Sequence, residues 1–445
     1  MSKTITAVTN MKVNSTSRVS IHVLLGLMCG LMLGACTSES SNPSTAAAQR
    51  TQATQNNSPK NTWVLPIDGL TPAQMQRFEA GKAVFEKVFT PSTGLGAVFN
   101  GQSCAECHGA PAVGGTGFSA TATIQRFTTL LAPQFAVGLV TQADGAPHVH
   151  ARSVSDEFPD EVPGCNLQAE TVPASALAST KRVTPHLFGI GLLENIPDAT
   201  LIQNGLMSAQ QNPEVSGRPG AMFPGGINDP NAQDQLIGRL GARGFVADVQ
   251  SFTQGAFSTE LGIATLHPAF VAPVRPSGNV APVACTPFVG EAVSLAETQA
   301  AADFQRWLAP PPAPKLTGVA LRGQALFDDI QCSSCHTPMM KTSAFAPPPL
   351  DDREVWLYSD LLLHDMGEAL ADDAPEGLGL STEWKTAPLW GVGQTPKPLM
   401  HDGRAGRDFA LAIELHGGEA EGAARRFADL KPADQAALIA FLKKL

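Results

Sequence analysis

Aromatic side chains are scarce in this 445-residue chain, 6% of the total with a single Tyr. Charge is sparse too, at 16%, and the bases are outnumbered, 30 Lys and Arg against 40 Asp and Glu. With no basic surplus to neutralise phosphates, a nucleic-acid partner is excluded. Few aromatics beside 35 Pro and 41 Gly argue against a large sheet. They favour helices joined by long irregular loops. Apolar content is ordinary at 43%, enough for a packed core, and the length allows two or three domains.

No acid occurs before Glu39, whereas Lys3, Lys12 and Arg18 make the N-terminus basic. The apolar run that follows, Val23–Ala35, has 13 residues, too few to span a bilayer comfortably. It reads as the core of an export signal over residues 1–35. Its end, Leu33-Gly-Ala-Cys36, looks like a bacterial lipobox, which would make Cys36 the lipidated first residue of the mature chain. Several acyl chains on one Cys anchor stably. Thr37 after the Cys favours the outer membrane, so the expected location is the periplasmic side of a Gram-negative envelope. Residues 36–62, rich in Ser, Thr, Ala, Gln and Asn, read as a flexible tether. Loss of residues 1–35 removes three bases and no acid, moving the net charge from −10 to −13.

The eight cysteines divide cleanly. Cys29 leaves with the signal and Cys36 takes lipid. Four lie in Cys104-Ala-Glu-Cys107-His108 and Cys332-Ser-Ser-Cys335-His336. Cys-x-x-Cys-His is the c-type haem attachment signature. The thiols form thioethers with the haem and the adjacent His ligates the iron. Two covalently bound haem c groups are therefore expected, with His108 and His336 as proximal ligands. Cys165 and Cys285 remain, in a compartment that permits a disulfide, and are expected to be joined.

The chain also repeats itself. Gly81-Lys-Ala-Val-Phe85 precedes the first haem motif and Gly323-Gln-Ala-Leu-Phe327 the second. Thr184-Pro-His-Leu-Phe-Gly-Ile-Gly191 matches Thr386-Ala-Pro-Leu-Trp-Gly-Val-Gly393. Phe78, Phe85 and Val88 are expected on one helical face. Helices are expected at Ala296–Leu308 and Ala433–Leu445, the latter behind Pro432. Pro310-Pro-Pro-Ala-Pro314 reads as a stiff linker. The expected fold is mainly α, with two cytochrome c-like domains at 63–309 and 315–445 and long irregular loops. The first domain is enlarged by insertions. The Gly-rich run Gly109–Gly117 lacks the Lys-Ser/Thr ending of a phosphate loop.

Several segments of the second half, together with the haem motifs, resemble the dihaem oxidoreductase family, which is sometimes labelled thiol oxidoreductase. They are Tyr358-Ser-Asp-Leu-Leu-Leu-His-Asp-Met-Gly367, the Thr-Ala-Pro-Leu-Trp-Gly segment, His401-Asp-Gly-Arg404-Ala and His416-Gly-Gly-Glu-Ala420. The family is similar, more distantly, to bacterial dihaem cytochrome c peroxidases and to the dihaem enzyme that matures tryptophan tryptophylquinone. In the peroxidases a helical Met ligates the C-terminal haem. Ala412-Ile-Glu-Leu-His416 resembles that helix, with His416 at the ligand position and Met366 or Met400 as alternatives. Arg404 is expected to pair a haem propionate. No equivalent ligand segment follows Gly191-Leu-Leu-Glu194, so the first haem is expected to be the open one, with Glu194 as distal acid. His148 and His150 are the rival ligands there, with His186 and His267 weaker. Trp384 and Trp390 are candidate bridges between the haems. Calcium occurs between the domains of the related peroxidases, but no acidic loop here compels it.

The resemblance implies an enzyme that reduces hydrogen peroxide at the first haem. Electrons would come through the second haem from a small periplasmic donor, a cytochrome c or a cupredoxin. The competing readings are an electron-transfer cytochrome with no substrate of its own, and a dihaem oxygenase or protein-modifying enzyme.

Overall fold

Thr71 starts the first helix described. Its hydroxyl accepts from the Gln74 N–H and the Gln74 side chain accepts from the Thr71 N–H, a reciprocal cap, with Pro72 in the first turn. The leading helix, Pro72–Glu86, buries Phe78, Gly81 and Phe85 on one face. Val88 does not extend that face. The helix ends at Lys87, and Val88 is 59% exposed. The computed structural model describes residues 63–117, 123–128, 148–222, 236–265, 281–372, 376–377 and 379–445. The export segment 1–35, Cys36 and the tether to residue 62 lie outside the described residues. Ser58–Leu445 forms one compact unit by its contacts.

The leading helix crosses a closing helix, Leu295–Arg306, capped reciprocally by Ser294 and Glu297. In the second half Val319–Asp329 crosses Pro432–Leu442 in the same way. The two crossings share one steric rule. A Cβ at Gly81 would run into the Ala300 carbonyl oxygen and the Phe304 Cβ. A Cβ at Gly323 would run into the Ala437 carbonyl oxygen and the Phe441 Cβ. Only glycine lets the backbones approach this closely. Aromatic pairs seal both contacts, Phe78 and Phe85 each 5.1 Å from Phe304, and Phe327 5.4 Å from Phe441. The second repeat docks equivalently. Gly191 lies against the Arg306 carbonyl and Gly393 against that of Lys443, each at the end of its closing helix.

Strands are short and, among the described residues, pair only two by two and antiparallel. The described residues are thus partly helical with little sheet. The first half spends its extra length on the helices Asp198–Gln211 and Val249–Leu261 and on three strand pairs. Val249–Leu261 packs along the closing helix. In the second half Leu363–Asp365 pairs with Glu383–Lys385, setting His364 opposite Trp384. Reciprocal backbone bonds between Arg218 and Leu363, 2.9 and 2.7 Å, tie that ladder to the first half.

Cys165 and Cys285 are joined as a disulfide across 120 residues. Both are buried in an apolar cluster with Phe89, Leu95, Phe99, Val154 and Phe257. Cross-linking so long a loop restricts the unfolded chain, an effect of about 4–5 kcal/mol on the chain-entropy account. Replacing both by Ser is expected to lower the denaturant midpoint accordingly while leaving the spectrum of the bound haems unchanged.

Candidate functional site

Both Cys-x-x-Cys-His motifs open onto one cavity of about 1290 Å³. That exceeds the roughly 300–1,000 Å³ of a site for one small molecule. Its walls come from both halves, including Leu187 and Phe188 from the first and Leu389 and Trp390 from the second.

Each motif is a short turn that aims its His inward. Ser103 caps the helix Cys104–Cys107, its hydroxyl accepting from the Glu106 N–H at 3.2 Å. The His108 N–H donates to the Cys104 carbonyl at 2.9 Å, and its Nδ1–H donates to the Gly115 carbonyl at 3.0 Å. In the second motif Gln331 turns the chain in a left-handed conformation (φ 69°). There the His336 N–H donates to Cys332 at 2.9 Å and its Nδ1–H to the Tyr358 carbonyl at 3.0 Å. Phe85 packs on His108 at 6.1 Å and Phe327 on His336 at 6.2 Å, so the repeat extends to the ring behind each His. In both cases Nδ1 is committed to a carbonyl, leaving Nε2 for a metal.

His416 follows the helix Phe409–Glu414, which Asp408 caps. Its Nδ1–H donates to the Ala412 carbonyl at 2.7 Å. Its ring centroid lies 6.5 Å from that of His336. Two imidazoles sharing one metal through Nε2, with bonds of about 2 Å, place their centroids about 6 Å apart. Burial pushes His108, His336 and His416 all below the usual histidine value, His336 to about 4. They are therefore held neutral, the form that ligates. Met366 and Met400 line the same cavity.

The cysteines are equally suited to attachment and unsuited to thiol exchange. Burial pushes Cys104, Cys107 and Cys332 up to about 12, and Cys335 upward as well. Such thiols are inert as thiolates, which weighs against a thiol-oxidoreductase activity.

Two sequence expectations fall away from the cavity. Glu194 is not in its wall. Its carboxylate accepts from Arg306 at 2.6 and 3.1 Å and from the Val249 N–H at 2.9 Å. It anchors two helices away from the cavity, so it is not placed to act as distal acid. Arg404 is bound by Asp402 at 2.7 Å and by the Ala369 carbonyl at 2.7 Å, outside the cavity. In its place the cavity wall carries Lys385, Lys397 and Arg407. Arg407 donates to the carbonyls of Lys397 and Val392, both at 2.8 Å. Burial pushes both lysines down to about 8. Cations in an apolar wall call for anions, and haem carboxylates have that chemistry. Residue spacing gave no sign of this cluster.

The lysines make a prediction. Their folded values of about 8 sit below the usual 10.5, so between those values the unfolded chain binds more protons. Stability of the haem-free polypeptide is therefore expected to rise with pH across that window. Carboxylates beside the amines would keep them protonated, and the haem-loaded protein should lose the rise. Thermal unfolding of both forms from pH 7 to 11 checks it; a rise shared by both forms would rule out carboxylates at the lysines.

The remaining histidines are accounted for. His364 is clasped by Asp360 at 2.9 Å and Glu419 at 2.8 Å, and touches the Cys335 sulfur at 3.7 Å. Burial lowers it, but hydrogen bonds with Asp360, Cys335 and Glu419 outweigh burial and hold it protonated, up to about 12. His401 stacks on Trp384 at 3.7 Å, and the guanidinium carbons of Arg182 and Arg243 lie 4.7 and 4.4 Å from the Trp384 ring. The His186 Nε2–H donates to the Trp390 carbonyl at 3.1 Å across the seam between the halves. His267 lies outside the described residues. His148 and His150 face the cavity, each leaning on a carboxylate. His148 Nδ1 is 2.6 Å from Glu260, and His150 Nδ1 is 2.6 Å from Glu170. Burial raises the Glu260 carboxyl. The His148 charge and hydrogen bonds from His148 and Asn100 outweigh it and bring Glu260 down to about 2.

Among solved structures, hydrazine synthase of Kuenenia stuttgartiensis is similar at 14% identity and a TM-score of 0.38, covering 91% of this chain and 100% of that one. A MauG-like protein associated with microbial copper homeostasis is similar at 14% identity and a TM-score of 0.36, covering 88% and 95%. No curated protein matches the chain. A family model described as "Di-haem oxidoreductase, putative peroxidase" matches residues 140–445. With the second haem motif, His416 and most of the cavity wall inside that match, the chain belongs to the di-haem oxidoreductase family.

Proposed function

We propose that this chain is a c-type dihaem oxidoreductase that reduces hydrogen peroxide at its N-terminal haem with electrons relayed through its C-terminal haem. Cys104 and Cys107 would carry the first haem and Cys332 and Cys335 the second, each through thioethers. His108 and His336 would be the proximal ligands, with His416 completing the second iron. Lys385, Lys397 and Arg407 would neutralise propionates. When bound, the haems supply the redox chemistry of O–O cleavage. The protein's own residues fix ligand tautomers, exclude water and deliver protons.

The observation that carries this reading is an asymmetry within one shared cavity. His416 stands at ligand spacing from His336, whereas in the first half His148 and His150 lean on Glu260 and Glu170 and His186 donates to the Trp390 carbonyl. A closed iron suits electron storage and an open one suits a substrate. The donor would be a small periplasmic cytochrome c or cupredoxin, and lipid on Cys36 would hold the chain at the membrane.

Low-temperature EPR of the one-electron-reduced protein tests this, with and without hydrogen peroxide. A high-spin ferric signal that disappears with peroxide is the expected result. Low-spin signals alone, indifferent to peroxide, would replace the reading with an electron-transfer cytochrome.

A further inference from the structure

His150 is 1% exposed, and its Nε2 is buried without a hydrogen-bond partner among the described residues. It lines the cavity beside Cys104, Cys107 and His108. Its other nitrogen is fixed. The Nδ1–H donates to Glu170 Oε2 at 2.6 Å, and the same oxygen accepts the His150 backbone N–H at 3.0 Å. The Glu170 N–H returns a bond to the His150 carbonyl at 2.8 Å. The ring is thus held in one orientation and one tautomer, with the lone pair on Nε2 left unpaired in the cavity wall. An imidazole nitrogen kept unpaired in the wall of that cavity suits proton transfer.

We infer that the His150–Glu170 dyad is the acid–base device of the N-terminal haem site, an inference that rests on the peroxide-reducing reading. Nε2 takes the proton from one oxygen of hydrogen peroxide and returns it to the other. The O–O bond breaks and the doubly protonated oxygen leaves as water. Two electrons from the periplasmic donor and two protons from solvent complete the balance of one peroxide to two waters. His150 is the catalytic residue. Glu170 is a positioning residue, which also stabilises the imidazolium while it holds the proton.

The test uses the purified dihaem protein and its His150→Gln and Glu170→Gln variants. Both are first checked for two haems and for the EPR spectrum of the resting state. The expected spectrum is that of the parent, because Nε2 does not ligate the iron. Stopped-flow reaction with peroxide should slow about 10²–10⁴-fold in His150→Gln, the usual worth of a general acid–base group. A loss of about tenfold is expected in Glu170→Gln, with no further loss in the double variant. Cyanide and carbon monoxide give a readout other than turnover. Hydrogen cyanide must shed a proton on binding, so its association should slow in His150→Gln, whereas carbon monoxide association to the reduced protein should not.

A parent that does not react with peroxide would overturn the functional reading itself. A parent that reacts, with His150→Gln equally fast, would overturn the dyad alone. A low-spin to high-spin change in His150→Gln would make His150 an iron ligand and overturn it too. Equal slowing of cyanide and carbon monoxide would mean a packing role, with the same consequence. Should His150→Gln fail to load haem, Glu170→Gln carries the test, since Gln still accepts from Nδ1 and lacks only the charge.

Discussion

Replacing His416 by Ala is expected to turn the second haem from low-spin to high-spin ferric, leaving the first unchanged. The two imidazoles stand 6.5 Å apart with each Nδ1 tied to a backbone carbonyl, so removing one removes the side chain at ligand spacing from His336. Met366 and Met400 reach the same cavity but from different segments. Turnover with a reducing donor should fall about tenfold or more, since each tenfold loss corresponds to only about 1.4 kcal/mol. His416→Met should stay low-spin, with a higher potential than the parent, because a thioether stabilises the reduced iron. Magnetic circular dichroism and spectroelectrochemistry check both. A His416→Ala protein with the parent spectrum would rule out His416 as the axial ligand.

Gly323→Ala is the second large effect. The added methyl would meet the carbonyl oxygen of Ala437, which is backbone and cannot rotate away. The crossing helices must separate, opening the contact that holds Phe327 against Phe441 and His336. Overpacking of this kind costs about 1–3 kcal/mol, and a backbone oxygen that cannot rotate away puts this site at the upper end. Gly81→Ala should behave alike at the first crossing. Gly406→Ala is the control. Its φ is +53° but nothing lies within reach of a new Cβ, so only the backbone penalty of about 1–2 kcal/mol applies. Chemical unfolding followed by far-UV circular dichroism separates the two. Equal losses at 323 and 406 would mean that the close approach contributes nothing.

What the sequence made legible is what covalent spacing and short-range pattern encode. Cys-x-x-Cys-His reads directly, because the thiols and the imidazole must sit within one turn. The repeated Gly-x-x-x-Phe reads because a bare glycine and an aromatic four residues on mark one side of a helix. His416 stood out only through the resemblance of Ala412-Ile-Glu-Leu-His416 to the ligand helix of the related peroxidases. Other features depend on distant pieces of chain meeting. Glu194 looked like a free acid, but its partner Arg306 is 112 residues away. Arg404 looked free for the same reason, since its other partner, the Ala369 carbonyl, is 35 residues away. Lys385 and Lys397 are ordinary in sequence and become unusual only when folding buries them in one wall. The His150–Glu170 pair spans 20 residues of loop, where no periodicity marks which side chains meet.

The doubled helix crossing has an evolutionary consequence. Gly81, Gly191, Gly323 and Gly393 are positions where one methyl group would collide with backbone, so both halves are constrained there. His150 and His416 stand elsewhere, one on a loop and the other past a helix end. After duplication those sites could drift without disturbing the frame. Relatives of this chain should therefore share the four glycines while differing at 150 and 416, one half free to become a storage centre while the other learned to take a substrate.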